Sequence, residues 1–313
     1  MCGRTACTLQ PDHLVRVCTY KSTSKIGNPY KDSSNFQDEV KEAHDDDSEH
    51  CIVPIWNDAP CGGHYNASTN IPPTAYTPIL YQSPTGEVVL QPMLWGLIPP
   101  WHKGPDAKGH GLTTNNCRIE NVLESKLYRP CLSKGRCVVV CEGFYEWERS
   151  GGIKQPYLVF NKTGPVLYMA GLYSMWRGAD GVPVYNYTII TRQSNQILAW
   201  LHHRMPAFLK PEQFSKWLSP VTSPSLALEM LAMPKEGKLA WHPVSREVGN
   251  VRNQRDDLMK QVEVIKHETE KKSTVSVSAA SKGLMNNWLK RSSKNSDAKD
   301  DVKKSKLSSE IIT

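Results

Sequence analysis

Cys137-Val138-Val139-Val140 decides the fold class of this chain, because a short β-branched run of this kind typically forms a buried strand. Helical patterns are fewer and cover about residues 11–20, 194–201 and 211–218. Many short strands with few helices predict an α+β fold, with a curved, barrel-like, mostly antiparallel sheet and a few flanking helices. Four further runs share the apolar character and the Gly, Pro or Asn boundaries of predicted strands: Val88-Val89-Leu90, Tyr157-Leu158-Val159-Phe160, Leu167-Tyr168-Met169-Ala170 and Tyr187-Thr188-Ile189-Ile190-Thr191.

Composition divides the chain of 313 residues into a folded part and a tail. Residues 1–266 alternate apolar runs with Pro and Gly, and a polar, acidic segment at about 22–50 predicts a surface loop inserted into this domain. Residues 267–313 are rich in Lys and Ser and lack the apolar density to fold alone, so we expect a disordered tail. The tail holds ten Lys or Arg against six Asp or Glu, which accounts for more than half of the net charge of +7. Bulk charge is therefore a weak argument for nucleic-acid binding.

Several classes of protein are disfavoured by the same sequence. No run of about 18 apolar residues occurs and the first residues lack the apolar core of a signal peptide, so we expect an intracellular protein without a membrane span. Nine cysteines without framework spacing favour free thiols. Cys137 and Cys141 lie too far apart along a strand to share an ion. Cys51, Cys61 and His64 make at most a partial site, so neither a metal nor a cofactor is expected.

The second residue is a cysteine, and removal of Met1 would place a free α-amine beside its thiol. Such a 1,2-aminothiol traps aldehydes, because the amine condenses to an imine and the sulfur then closes a five-membered thiazolidine ring. A free α-amine has a pKa of about 7.7–8.0, so a usable fraction is uncharged near neutral pH. Cys2 is a candidate nucleophile, although a cysteine also occurs at this position by chance.

Glu146 stands between Tyr145 and Trp147, in the segment that follows the predicted strand at 137–140. Two aromatic neighbours would desolvate its carboxylate, as suits a general acid or base. A plain surface glutamate is the alternative interpretation. The segment predicts a candidate catalytic carboxylate.

His202-His203-Arg204 follows a predicted helix and ends just before Pro206, which places it on a turn. Adjacent His side chains diverge and rarely bind one ion together. One His that transfers protons, with an Arg that grips a phosphate, fits an anionic substrate better. A His that only hydrogen-bonds a turn stays open from this segment alone.

A third polar cluster, Asn115-Asn116-Cys117-Arg118-Ile119-Glu120, contains an amide that can orient a nucleophile and a guanidinium that can hold a phosphate. Upstream of it, a Pro-rich loop carries Trp101, followed by His102 and Lys103. We expect Trp101 to be exposed, where it could stack on a base, and Trp95 to belong to the core.

Six blocks of the sequence occur together: Cys2-Gly3-Arg4, Asn116-Cys117-Arg118, Gly143-Phe144-Tyr145-Glu146-Trp147, His202-His203-Arg204-Met205-Pro206, Trp241-His242-Pro243-Val244-Ser245 and Val248-Gly249-Asn250-Val251. In this order, over residues 2 to about 255, they make the chain resemble the SRAP (SOS response-associated peptidase) family. The resemblance implies a single SRAP-type domain that senses abasic sites in single-stranded DNA. It also implies a covalent thiazolidine crosslink that shields the lesion at replication forks, with self-processing peptidase and DNA lyase-type activities.

The resemblance carries roles onto individual positions. Cys2 would supply both nucleophiles once Met1 is removed, Asn116 would orient the terminus and the lesion, and Glu146 and His202 would handle protons. The residues implied in DNA binding are Arg4, Arg118 and Arg204 for phosphates, and Trp101 beside the DNA groove. His102 stands where bacterial relatives often carry a second Trp, which is a departure from the family pattern.

The tail contains a candidate binding peptide. Residues 282–289 have the apolar spacing of a peptide that binds the replication sliding clamp, and a generic amphipathic turn is the alternative. Basic stretches after this peptide are compatible with nuclear entry, so we expect a monomeric protein of the nucleus that acts on chromosomes at replication forks. Two other functions are kept open: a non-covalent reader of modified cytosine such as 5-hydroxymethylcytosine, and a peptidase that acts on other proteins.

Overall fold

The computed structural model describes residues 2–22, 50–148, 154–231 and 238–264. Residues 1–264 group into one compact unit. The predicted acidic loop lies outside the described residues except at its ends, where Ser22 pairs with His50 across two short antiparallel strands. The predicted tail at 267–313 and its peptide at 282–289 also lie outside them.

Short strands dominate the described residues. The helices are α1 (Pro11–Val17), α2 (Arg129–Lys134), α3 (Phe214–Leu218) and α4 (Pro224–Glu229), with 3-10 turns at Ile119–Asn121, Pro211–Gln213, Arg246–Gly249 and Asp256–Met259. The strands are β1 (Thr5–Cys7), β2 (Tyr20–Ser22), β3 (His50–Ile52), β4 (Ile55–Trp56), β5 (Ser68–Ile71), β6 (Tyr76–Gln82), β7 (Val88–Trp95), β8 (Asn116–Arg118), β9 (Arg136–Cys141), β10 (Gly143–Glu148), β11 (Gln155–Asn161), β12 (Leu167–Arg177), β13 (Pro183–Gln193), β14 (Arg204–Pro206) and β15 (Leu239–Pro243).

Five of these strands close into a barrel, in the order β13, β12, β9, β6 and β7. Four of the pairings are antiparallel, and a parallel pairing of β7 with β13 closes the ring through Leu94 with Asn186 and Trp95 with Tyr187. The indole of Trp95 stacks on the Tyr187 ring at 6.2 Å between centroids. The predicted α+β class and barrel-like sheet are confirmed.

Strands β7 and β9 are buried along their whole length. A strand that is covered on both faces reads as a continuous apolar run rather than an alternating one. This explains why the valines of β9 were visible in the sequence as a strand.

A second sheet, in the order β15, β11, β10, β1 and β5, is antiparallel throughout. One of its faces is covered by the segment after β15, because Val244, Val248 and Leu258 pack against Tyr145 and Leu158. The amino-terminal strand β1 thus lies inside the fold, between β10 and β5.

The predicted helix at 194–201 is wrong. The segment forms a series of turns, in which Ala199 N donates to Asn195 O at 2.9 Å and His202 N donates to Leu198 O at 3.0 Å. The chain must return at once from β13 to its antiparallel partner β14, and Ser194 N already bonds His203 O at 2.9 Å. That tight closure leaves no room for a regular helix.

The other two predicted helices are present with shorter bounds. The first ends at Val17, because the chain enters β2 at Tyr20, and the third begins as a 3-10 turn at Pro211–Gln213 before α3. All nine cysteines lie among the described residues, and each is a free thiol. Within the same residues, no helix is long and apolar enough to cross a membrane.

Candidate active site at the amino-terminal strand

The amino-terminal strand draws residue 2 into the interior. Thr5 pairs with Phe144 across β1 and β10, and Tyr145 N donates to Arg4 O at 2.9 Å. Because the pairing is antiparallel, the residues before β1 lie alongside the carboxyl end of β10. Cys2 consequently lies in the core, with only 1% of its surface exposed.

Asn116 reaches Cys2 from the barrel. It begins β8, which pairs in parallel with β13 opposite Ile189. Its side-chain Nδ2 donates to the carbonyl oxygen of Cys2 at 2.6 Å. Its Oδ1 is buried and has no hydrogen-bond partner among the described residues. The amide therefore fixes the backbone of residue 2 and still offers an acceptor to a ligand or an amine.

Glu146 stands on β10 and is 6% exposed. Burial, and next to it the charge of this carboxylate, raise the pKa of the Cys2 thiol far above its ordinary value. The thiol is therefore protonated at neutral pH. The charge of Glu146 thus acts directly on the side chain of residue 2.

His202 completes the cluster from the turn before β14. Its Nδ1 lies 3.0 Å from Arg204 N and 3.2 Å from Arg204 O, so a short backbone segment holds the imidazole in place. Burial lowers the pKa of His202, and the Glu146 carboxylate opposes that shift. The imidazole is therefore neutral at pH 7 and able to accept a proton. Cys2, Asn116, Glu146 and His202 are thus brought together from four separate elements.

Arg204 lies beside this cluster, and its guanidinium already has a partner. Nη1 and Nη2 donate to the two carboxylate oxygens of Glu120 at 2.7 and 2.9 Å, and Nη2 also donates to Thr191 O at 2.7 Å. Only 9% of the Arg204 side chain is exposed. A phosphate at this position must share the guanidinium with Glu120.

The remaining predicted DNA-binding residues differ in their surroundings. Arg118 is exposed on β8, opposite Thr191, the residue whose carbonyl oxygen accepts a hydrogen bond from Arg204. Trp101 is 55% exposed in the loop after β7. Both side chains are placed where they can contact a ligand in solution.

Arg4 is buried inside the fold. Its Nη1 donates to Asn70 Oδ1 and to Val248 O, each at 2.6 Å, and its guanidinium lies over the Trp147 ring at 5.9 Å. These contacts tie β1 to β5 and to the segment after β15. They give no support to the predicted phosphate contact, which stays a prediction.

Two residues of this region were missed by sequence reasoning. Glu120 lies in the quoted cluster at 115–120, but nothing in the sequence paired it with an arginine 84 positions away. Asn70 is fully buried and bonds Asn250 O and Asn253 O as well as Arg4. Its strand, Ser68-Thr69-Asn70-Ile71, is mostly polar, so nothing in the sequence pointed to it.

The cysteines and histidines offer no metal centre in the part of the chain that the structure describes, because no three potential ligands among His, Cys, Asp and Glu cluster there. Cys137 and Cys141 both lie on β9 and are buried. Their burial raises the pKa of both thiols.

Comparison with known proteins gives a consistent result. The model of a family described as SOS response associated peptidase (SRAP) matches residues 1–251. Abasic site processing protein HMCES of Xenopus tropicalis is 33% identical over an alignment of 335 positions, which covers 98% of this chain and 90% of that protein. Abasic site processing protein YedK of Escherichia coli (strain K12) is 32% identical over 177 residues, which cover 55% of this chain and 75% of YedK.

Solved structures share the fold. A protein from Bacteroides thetaiotaomicron superposes with a TM-score of 0.56 at 27% identity, covering 63% of this chain and 86% of its own. A phage-related protein from Bordetella bronchiseptica superposes with a TM-score of 0.52 at 21% identity, covering 84% of this chain and all of its own. At that identity, the second match speaks for the fold alone.

Proposed function

The chain belongs to the SRAP family, and from that membership and the geometry around Cys2 we propose that it recognises abasic sites in single-stranded DNA and bonds to them covalently. The relatives named as abasic site processing proteins support the DNA lesion as substrate. The observation that carries the covalent step is the position of buried Cys2, since Asn116 donates to its carbonyl oxygen and the charge of buried Glu146 acts on its thiol.

The chemistry begins with a chain from which Met1 has been removed. The abasic sugar opens to its aldehyde, the α-amine of Cys2 adds to the carbonyl carbon, and loss of one water leaves an imine. The Cys2 sulfur then adds to the imine carbon while its proton moves to the nitrogen, which gives the thiazolidine. The net change is the loss of one water from protein plus DNA.

The raised pKa of the Cys2 thiol sets the order of these steps. A protonated thiol is a poor nucleophile, so the amine reacts first. Glu146 and His202 are the groups that move protons during imine formation and ring closure. Neutral His202 accepts a proton from the sugar hydroxyl when the ring opens, and Asn116 holds the terminus in place through the Cys2 carbonyl.

Phosphates supply affinity that does not depend on sequence. The proposed contacts are Arg118 on β8 and Arg204 on β14, which both lie next to Thr191, with Trp101 as a stacking surface. Selectivity comes from the aldehyde, which ordinary DNA lacks. The same imine chemistry accounts for a lyase-type activity, and self-removal of Met1 accounts for a peptidase activity that is confined to the chain itself.

The remaining parts of the proposal concern the setting. We propose a monomer with one domain over residues 1–266, in keeping with the family resemblance. From the composition of the tail we propose a clamp-binding peptide at 282–289 and a nuclear, chromosomal location at replication forks.

The test is a crosslinking assay with the full chain and a single-stranded oligonucleotide that carries one abasic site. We expect a band that survives denaturation, with the mass of protein without Met1 plus DNA minus one water. Cys2→Ala should abolish it, and Cys7→Ala, which changes another buried thiol of the same segment, should retain it. A protein that keeps Met1, or carries an acetylated terminus, and still crosslinks would contradict the proposal. Absence of any band together with selective binding of modified cytosine would establish the non-covalent reader instead.

A further inference from the structure

Three aromatic rings form a cluster on the surface near the candidate active site. The rings of Tyr157 and Trp200 meet edge to face at 4.9 Å, and those of Trp200 and Trp241 lie 5.8 Å apart. Trp200 is 42% exposed and Trp241 is 37% exposed. We call these three residues the aromatic platform. Two neighbouring indoles left this open on a surface typically mark a binding site.

Trp200 and Tyr157 already have partners for their polar atoms, so the platform presents mainly ring surface. Trp200 Nε1 donates to Ile197 O at 3.0 Å within its own turn. Burial and the neighbouring Glu148 carboxylate raise the pKa of Tyr157, which keeps its phenol neutral. A flat ligand on this surface would therefore be held mainly by stacking.

The platform continues the face on which the candidate active site lies. Tyr157 on β11 is the direct cross-strand partner of Glu146, and Val159, two residues further along the same strand, faces Trp241 on β15. Residues two apart on a strand share a face, so Glu146, Tyr157 and Trp241 point to the same side of this sheet. Trp200 precedes His202 by two residues in the turn that carries it.

The opposite face of the same sheet is occupied. Tyr145, Leu158 and partly buried Phe160 pack there against the segment after β15, and His242 bonds Met259 O at 2.8 Å. The platform is thus exposed on the side of the sheet that also carries Glu146.

We propose that Tyr157, Trp200 and Trp241 stack with a nucleobase next to the abasic sugar on its single strand. This inference deepens the proposed function and rests on it. An abasic site has no base of its own, so the flanking bases are the flat, apolar groups that remain for the protein to hold. Every base has a π-face, and stacking on aromatic side chains tolerates any sequence, as a sensor of damage requires. Because the platform lies beside Glu146 and His202, a base that stacks on it would belong to the same DNA strand as the abasic sugar.

The experiment compares Trp200→Leu and Trp241→Leu with Trp200→Phe in the full chain. Leu keeps an apolar side chain and loses the π-face, whereas Phe keeps both. We expect each Leu variant to weaken binding of an undamaged single-stranded oligonucleotide about tenfold in fluorescence anisotropy, equivalent to about 1.4 kcal/mol, while Trp200→Phe binds almost as the parent protein does. The matched control is Val221→Ala, at a residue that is 79% exposed outside the platform, and it should leave binding unchanged.

A second readout separates this inference from the covalent chemistry. Reaction of Cys2 with a small aldehyde, followed by intact mass, should proceed at the parent rate in the Leu variants, because the platform contacts bases and not the aminothiol. Folded Leu variants that bind and crosslink DNA like the parent protein would overturn the platform and leave the proposed function standing. A parent protein that binds single strands without crosslinking, together with weakened Leu variants, would leave the platform standing and overturn the covalent step.

Discussion

The Arg204 guanidinium and the Glu120 carboxylate form a bidentate ion pair across 84 positions of sequence, with Nη1–Oε1 at 2.7 Å and Nη2–Oε2 at 2.9 Å. The arginine side chain is 9% exposed and the glutamate side chain 49% exposed. The hydrogen bond from Arg204 lowers the pKa of Glu120, which therefore stays charged at neutral pH. The guanidinium that we expect to hold a phosphate is thus oriented by a carboxylate that competes with that phosphate.

Arg204→Glu should weaken binding of single-stranded DNA at every sequence alike, because a phosphate contact carries no sequence information. We expect the slope of log Kd against log salt to decrease by about one in magnitude. The measurement is anisotropy at several salt concentrations, after thermal unfolding has shown that the variant is folded. Loss of binding to only some sequences would mean that Arg204 contacts a base.

Glu120→Gln is the companion variant, since it removes the competing charge and keeps a hydrogen-bond acceptor for Arg204. This variant should bind single-stranded DNA more tightly than the parent protein at low salt. The difference should disappear as the salt concentration rises. The exposed Glu124 provides the control substitution Glu124→Gln, four positions along the chain.

Local patterns in the sequence predicted the strands but not how the barrel closes. The valines of β9 and the apolar run of β13 identify buried strands without any knowledge of their partners. Closure depends on the parallel pairing of Trp95 with Tyr187, which joins residues 92 positions apart. No short-range pattern encodes a contact of that kind.

In the candidate site, too, the sequence identified individual residues but not their long-range contacts. Cys2, Glu146 and His202 were visible because each lies in a block of the family resemblance. The carboxylate that pairs with Arg204 was not, and the helix predicted at 194–201 was wrong because the β13–β14 connection overrides local propensity. Long-range contacts therefore decide which arginines are free and which are buried, as Arg4 illustrates.

Crosslinking should depend on pH through His202. Burial lowers the pKa of this imidazole, so it is neutral at pH 7 and becomes protonated only below the ordinary His value of about 6.5. A protonated ring cannot accept the sugar proton, so the contribution of His202 is present at pH 7–8 and is lost only at a pH below the ordinary His value.

The α-amine of Cys2 also titrates, with an ordinary pKa of about 7.7–8.0, so the rate itself will fall on acidification for two reasons. The informative quantity is the crosslinking rate of the parent protein divided by that of His202→Gln, measured from pH 5 to 8. We expect this ratio to be constant at pH 7–8 and to decrease only at a pH below the ordinary His value. A ratio that increases on acidification would identify His202 as the protonated acid of the reaction.

Glu146→Gln should slow crosslinking by about a hundredfold and leave DNA binding intact. The amide preserves the shape of the side chain on β10 but cannot take up a proton, and it removes the charge that helps to raise the pKa of the Cys2 thiol. Single-turnover rates and anisotropy separate the two effects. The control is Glu142→Gln, four positions before Glu146. Glu142 accepts a hydrogen bond from the Thr8 hydroxyl, and this variant should react at the parent rate. Equal losses of binding and of rate in Glu146→Gln would show a structural role instead.

Arg136→Met should destabilise the fold by about 3 kcal/mol, because Arg136 holds four backbone carbonyls together in the core. The residue is 3% exposed, and its guanidinium donates to Trp217 O at 2.6 Å, Leu132 O at 2.5 Å, Thr222 O at 3.0 Å and Ser219 O. Burial lowers the pKa of Arg136 to about 10, so it remains charged at pH 7. Met fills the space and leaves these carbonyls without a donor.

The measurement is urea unfolding, in which the midpoint should fall at an unchanged slope. Arg136→Lys should lie between the parent and Arg136→Met, since an ammonium keeps the charge but lacks the planar fork that reaches several carbonyls at once. Lys134→Met, two positions earlier in the last turn of α2, removes a cation from a more open position and should cost less than about 0.5 kcal/mol. A loss below about 1 kcal/mol in Arg136→Met would mean that water or the relaxed backbone satisfies the carbonyls, and that α3 does not depend on this arginine for its attachment to β9.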